Sequence, residues 1–186
     1  MDQLAAIKIL ADKAHAENAA IISEIGSQTV WLHGAGDHPS HLYLSGPMGM
    51  APSVALGVAM ARPDIPVLAI CGDGATVMNF SALVTASHAA PKNLTLAIMD
   101  NGVYDYTGAL PSPSQGVDWL TMASGLTGFK TRLSLADVGG FSFTAKSGLT
   151  LIHCPVEPMQ GKAPPFPWTG PEIHKRFKQW CAAYKA

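Results

Sequence analysis

Charge is scarce in this 186-residue chain, with 13% of residues Asp, Glu, Lys or Arg where about 25% is usual. Neither sign dominates. Lys plus Arg number 12 against 13 for Asp plus Glu, a net charge of −1, so no basic field exists to hold nucleic acid or an anionic membrane. Apolar residues reach 48%, yet no run approaches the ~18 residues of a membrane span. The cysteines Cys71, Cys154 and Cys181 show no CxxC spacing and read as free thiols of a reducing compartment. Met1-Asp2-Gln3 lacks the basic start of a secretory leader, and the expectation is a cytoplasmic protein. A Walker A sequence is missing, and Gly72-Asp73-Gly74 does not continue into a dinucleotide fingerprint because Val77 stands where the third glycine belongs. A lone domain of this size should carry more charge on its surface. Part of its outer face is therefore expected to lie against other subunits.

Apolar runs of strand length alternate with helical patterns. Leu4, Ile7, Leu10 and Ala11 recur at helical spacing within Gln3–His15, and Ala20–Ile25 reads as a strand ended by Gly26. Ser27 is placed to cap a short helix reaching Trp31, after which His33–His41 reads as loop. A strand at His41–Leu44, a tight turn at Gly46–Gly49 and an Ala/Gly-rich helix over Ala51–Ala61 follow. Val67–Cys71, Leu94–Met99 and Thr150–Cys154 are continuous apolar runs, the pattern of parallel strands buried on both faces. Helices are expected near Asn79–Ala89, Asp118–Gly125 and Pro171–Tyr184, the last reached through a proline-rich strap at 155–171. The sum is one domain over 1–186, a three-layer α/β sandwich on a mostly parallel sheet.

Ligands of open parallel sheets bind beyond the carboxyl ends of the strands, and two ends here carry unusual chemistry. Gly72-Asp73-Gly74-Ala75 puts a carboxylate after a buried strand, between glycines that admit close backbone approach. After 25 intervening residues, Asp100-Asn101-Gly102-Val103 adds a carboxylate, an amide oxygen and a free backbone carbonyl at another strand end. Such hard oxygens suit Mg²⁺, which shares its sites with phosphate oxygens. Backbone N–H groups at Gly74 and Ala75 are placed to hold those phosphates. Alone, the first motif is no more than a turn with a capping aspartate. Its pairing with the second argues for a metal–phosphate site.

Gly72-Asp73-Gly74, the interval and Asp100-Asn101 together resemble the motif of thiamin-diphosphate-dependent enzymes, which runs from GDG to NN or DN. Ser23–Gln28 looks like that family's first diphosphate loop and Ser45–Gly49 like its aminopyrimidine turn, so the resemblance covers nearly the whole chain. It points to the diphosphate-binding (PP) domain of the 2-oxo acid decarboxylases. The run from Asp100 to Gly108 looks most like the beta subunits of sulfopyruvate decarboxylases, with phosphonopyruvate decarboxylases second. The resemblance implies thiamin diphosphate and Mg²⁺ as cofactors, with Asp73, Asn101 and the Val103 carbonyl as metal ligands. It implies Ser27, Gly72, Gly74 and Ala75 around the diphosphate and the Gly46 carbonyl as acceptor for the aminopyrimidine. Met48 would be the apolar wedge that bends the cofactor. Asp100 departs from the commoner Asn, and Asp105-Tyr106 stands where near relatives more often have small residues.

In that family a glutamate of a separate pyrimidine-binding (PYR) domain activates the cofactor. The glutamates here are Glu17, Glu24, Glu157 and Glu172, and none lies in a second α/β unit. The implied assembly is a hetero-oligomer in which a PYR-domain alpha subunit supplies the glutamate at the subunit interface. The implied reaction is decarboxylation of a 2-oxo acid, 3-sulfopyruvate first, to an aldehyde and CO₂. Phosphonopyruvate decarboxylation, acetolactate-type carboligation and a non-catalytic regulatory role use the same half-site. His33, Tyr104 and Asp105 are candidates for proton transfer or substrate contact. By composition His33, Asp37, His38 and His41 allow a zinc site or a solvated loop. No arginine sits in a motif placed for a sulfonate or phosphonate, so that contact is expected from the partner.

Overall fold

The computed structural model describes residues 1–145, 148–158 and 165–185. Asp2 caps α1 (Gln3–Ala16), its carboxylate accepting from the Ala5 N–H at 2.7 Å. Then come β1 (Ala20–Ser23), α2 (Ser27–Ala35), β2 (His41–Tyr43) and α3 (Ala51–Ala61). β3 (Val67–Gly72) runs straight into a short α4 (Asp73–Met78), followed by α5 (Ser81–Ala89) and β4 (Leu94–Asp100). A small antiparallel ribbon, β5 (Val103–Tyr104) with β6 (Leu110–Pro111), precedes α6 (Trp119–Gly125) and β7 (Phe129–Ser134). β8 (Leu149–Pro155) and α7 (Gly170–Ala183) complete the chain.

The six longer strands form one parallel sheet in the order β2-β1-β3-β4-β8-β7. Because successive side chains of a strand point to opposite faces, the continuous apolar runs feed two cores at once. Ala69, Cys71, Leu96, Ile98 and Leu151 face one core, closed by α3, α5 and α6. Leu68, Ile70, Ala97, Met99 and Ile152 face the other, closed by α1 and α2. Each fully buried Leu or Ile among them contributes about 1.5–3 kcal/mol relative to exposure. The small Ala51, Ala55 and Ala59 let α3 lie close on the sheet. The result is the α/β sandwich that the alternating pattern predicts.

Local details differ. Gly26, with φ +88°, takes the N-cap position of α2, so Ser27 is its first residue and makes no cap bond. The same helix continues past Trp31 and takes in His33, stopping at Gly36. A helix also starts at Asp73, sooner than the expected Asn79, because β3 turns directly into α4 and the chain breaks only at Asn79–Phe80. β7 escaped the sequence reading because Lys130 and Arg132 interrupt its apolar residues, as an edge strand with one wet face allows. Of the strap, Pro155 closes β8 and 165–169 lead into α7, while 159–164 lie outside the described residues.

One topological feature positions the site. β2 lies to one side of β1 and β3 to the other, so the connections leaving β1 and β3 diverge. Such a reversal opens a crevice beyond the carboxyl ends of the strands.

Candidate functional site

A cavity of about 400 Å³ occupies that crevice. Its walls are residues 25–30 after β1, Gly46 and Met48 after β2, residues 72–75 at the end of β3, and Asn101 with 103–107 after β4. Phe166 closes one side. Ser27, Gly46, Met48, Gly72, Asp73, Gly74, Ala75, Asn101, Val103, Tyr104 and Asp105 thus meet around one space. His33 does not. It stands behind the wall, edge-on to Phe166 with ring centroids 5.5 Å apart and to Tyr43 at 6.2 Å.

Asp73 joins the two loop tips. Its side chain is 3% exposed, and Oδ2 accepts from the Gly102 N–H at 3.0 Å and from the Ser114 hydroxyl. Burial pushes its carboxyl above the usual aspartate range; bonds from Ser114, Gly74 and Gly102 pull it down, and the nearby Asp100 charge adds to the rise. Ser114 belongs to the Pro/Ser-rich loop (Pro113–Gly116 is a short 3₁₀ turn). Nothing in that loop's composition announces a donor to Asp73, and sequence reasoning missed it.

Next to Gly102, the Asn101 amide is oriented from both ends. Nδ2 donates to Asp105 Oδ2 at 2.6 Å and Oδ1 accepts from the Val103 N–H at 3.0 Å. Asp100 is turned away, its Oδ2 2.9 Å from His153 Nε2 and accepting from Trp119 Nε1 at 3.1 Å. Gly74 faces the Tyr104 ring so closely that a Cβ there would lie 2.4 Å from Cε1. Gln28, Tyr106 and Phe166 also line the cavity; Gln28 sits beside Ser27 in the loop already singled out, whereas Phe166 carries no local signal.

The histidine-rich stretch forms a separate network. His15 and His41 Nε2 atoms are 2.7 Å apart, His41 Nδ1 and the Tyr43 hydroxyl are 2.8 Å apart, and that hydroxyl donates to Asp37 at 2.8 Å. Among the described residues no group of three or more His, Cys, Asp or Glu is placed to hold a metal ion.

Residues 24–131 match the sequence profile of the thiamine pyrophosphate enzyme C-terminal TPP-binding domain. The chain belongs to this family. The matched stretch contains every lining residue of the cavity except Phe166. Phosphonopyruvate decarboxylase of Streptomyces hygroscopicus is 35% identical over 171 residues, covering 88% of this chain and 42% of its own length. Sulfopyruvate decarboxylase subunit beta of Methanothermobacter thermautotrophicus is 32% identical over 161 residues, covering 87% of this chain and 86% of its own. The chain thus spans less than half of the first relative and most of the second. An X-ray structure of a Mycobacterium smegmatis protein assigned as a thiamin diphosphate-dependent enzyme aligns with a TM-score of 0.69, covering 86% of this chain and 32% of that one. At 24% identity this is a likeness of fold.

Thiamine pyrophosphate (thiamin diphosphate) carries an anionic tail, and the residues present fit it only together with a cation. Among the described residues no Lys, Arg or His lines the cavity, while Asp73 and Asp105 do. A diphosphate there would face two carboxylates, and unpaired buried charge costs several kcal/mol. A divalent ion would resolve the conflict. Asp73, Asn101 and Val103 line the cavity, and a carboxylate, an amide oxygen and a carbonyl are donors of the kind Mg²⁺ takes.

Proposed function

We propose that this chain is the Mg²⁺/thiamin-diphosphate-binding beta subunit of a heteromeric 2-oxo acid decarboxylase, acting on 3-sulfopyruvate to give an aldehyde and CO₂. The observation that carries the reading is the Gly102 N–H to Asp73 Oδ2 bond of 3.0 Å, which joins the two motif-bearing loops at the ends of β3 and β4, beside the switch point of the sheet. The match to a sulfopyruvate decarboxylase beta subunit over 86% of that protein supports the substrate class and the subunit role.

When bound, thiamin diphosphate supplies the electron sink through which a 2-oxo acid loses CO₂. The chain's own residues anchor it and exclude water. Asp73, Asn101 and the Val103 carbonyl would hold the metal, while Ser27 and the backbone of Gly72, Gly74 and Ala75 would hold the diphosphate. The Gly46 carbonyl and Met48 would set the aminopyrimidine. Tyr104, Asp105, Tyr106 and Phe166 form the remaining wall, where the aromatic rings displace water and the Asp105 carboxylate orients the Asn101 amide.

Two observations support a partner. No glutamate lines the cavity among the described residues: Glu17 accepts from Ser142 and Thr144, Glu172 closes the capping box of α7, Glu157 lies by the N-terminus, and Glu24 is enclosed by backbone. Met48 and Tyr106, which line the cavity, are exposed, and Met78, Phe80, Val84 and Leu110 are further exposed apolar side chains, as on an unpaired docking face. A PYR-domain alpha subunit supplying the activating glutamate, and the cation for the substrate's sulfonate, answers both needs.

Co-expression with a PYR-type chain, followed by a panel of 2-oxo acids, tests this function. CO₂ release from sulfopyruvate by the mixture and none by either chain alone is expected. Preference for phosphonopyruvate would move the substrate, carboligated products would move the reaction, and turnover by the isolated chain would refute the partner.

A further inference from the structure

α3 begins without a side-chain cap of its own, because Met50 occupies the N-cap position and makes no capping bond. The first N–H groups of a helix have no partner within it and must find one elsewhere. Here they find Glu24, the residue that follows β1. Its Oε2 accepts from the Ala51 N–H at 3.2 Å and its Oε1 from the Ile25 N–H at 3.2 Å. The Met50 and Gly49 N–H groups also favour the ionised carboxylate. The side chain is 1% exposed. Burial raises its carboxyl above the usual range, and these converging N–H groups pull it back down; the positive end of α3 favours the ionised form too.

The bridge spans two walls of the cavity. Glu24's own backbone is fixed, its N–H donating to the Ile70 carbonyl at 2.9 Å and its carbonyl accepting from the Thr29 hydroxyl at 2.8 Å. What its carboxylate grips is the turn that carries Gly46 and Met48. From the opposite side, Asn79 Nδ2 donates to the Gly49 carbonyl at 2.9 Å, and a Cβ on Gly49 would lie 2.7 Å from the Ala75 carbonyl. The turn is therefore wedged between the end of β1 and α4.

We propose that Glu24 is a positioning residue: by capping α3 from the end of β1 it fixes the Gly46–Met48 turn against the wall that carries Asp73. The inference rests on the cofactor reading above and adds a residue that reading does not use. The metal-side wall has its own ties, Gly102 to Asp73 and Ser114 to Asp73, in which Glu24 takes no part. Glu24→Gln keeps the shape but turns an NH₂ toward one set of backbone donors, which then has no acceptor. The turn shifts while the metal side stays. Affinity for the whole cofactor and affinity for its diphosphate part should separate.

The test is calorimetric titration of the wild-type and Glu24→Gln chains, in Mg²⁺, with thiamin diphosphate and with inorganic diphosphate. The expected result is about a tenfold loss for thiamin diphosphate in Glu24→Gln, with inorganic diphosphate changed by less than about twofold. Should Glu24→Gln not fold, Glu24→Asp, which keeps the charge and shortens the reach, carries the same expectation. Equal loss for both ligands shows a purely structural role and overturns the proposal, as does no loss for either. A wild-type chain that binds neither ligand contradicts the cofactor reading before any variant is compared, and the proposal falls with it.

Discussion

Asp73 is a carboxylate enclosed at 3% exposure in a wall that, among the described residues, holds no side-chain cation, so in the metal-free chain its charge opposes folding. Its removal should separate stability from binding. Asp73→Asn is expected to leave the metal-free Tm unchanged or higher, and to abolish the rise of about 5–10 °C that Mg²⁺ plus thiamin diphosphate gives near 100 times Kd. A differential scan with and without ligand checks both halves. Gly74→Ala should act sterically, since its Cβ would meet Tyr104 Cε1 at 2.4 Å and Ser112 Oγ at 3.1 Å. Cofactor affinity is expected to fall about tenfold as Tyr104 is pushed into the cavity, measurable by the same titration. Glycines flanking an aspartate after a buried run are visible in sequence, and so Asp73 and Gly74 were legible. Ser114 and Glu24 were not, because their role is a hydrogen bond made across 41 and 27 residues of chain, which no local pattern records.

At the scale of elements, β2 is an edge strand, and polar side chains on and beside it reach α1 and α7. His41 is 1% exposed, and burial, with smaller effects from His15, His38, Arg176 and His33, lowers its pKa to about 2. Asp37 extends the chain of contacts to Arg176 on α7 at 2.8 Å, and the Arg176 guanidinium lies 3.8 Å from the Trp168 ring centroid. A base whose folded pKa lies below its unfolded value of ~6.5 stays neutral in the fold while the unfolded chain takes up a proton. Stability is therefore expected to decline as pH falls from ~6.5 toward about 2, with His41 contributing up to about 1.4 kcal/mol per pH unit. His41→Gln should flatten that slope in urea titrations between pH 6 and 4; an unchanged slope would mean His41 already takes up a proton in the folded chain. The parallel core strands were legible because burial on both faces makes them continuously apolar. β7 was hidden by its wet edge, and α4 by a strand that becomes a helix without an intervening loop.

At the scale of the molecule, low charge and exposed apolar side chains both point to covered surface. Met78 is 63% exposed and Phe80 38% exposed, where a solitary domain would more often carry polar groups. Phe80→Glu is expected to leave the Tm of the chain within about 2 °C and to weaken co-purification with a PYR-type partner at least about tenfold. Retention of the partner by this variant would place the contact elsewhere. Metal-dependent retention of the cofactor underlies every level of the account, and calorimetric titration of the wild-type chain with thiamin diphosphate measures it most directly, once in Mg²⁺ and once in chelator. Saturable heat in Mg²⁺ that vanishes in chelator is the expected result. Binding of equal strength in chelator, or no binding in either, would contradict it.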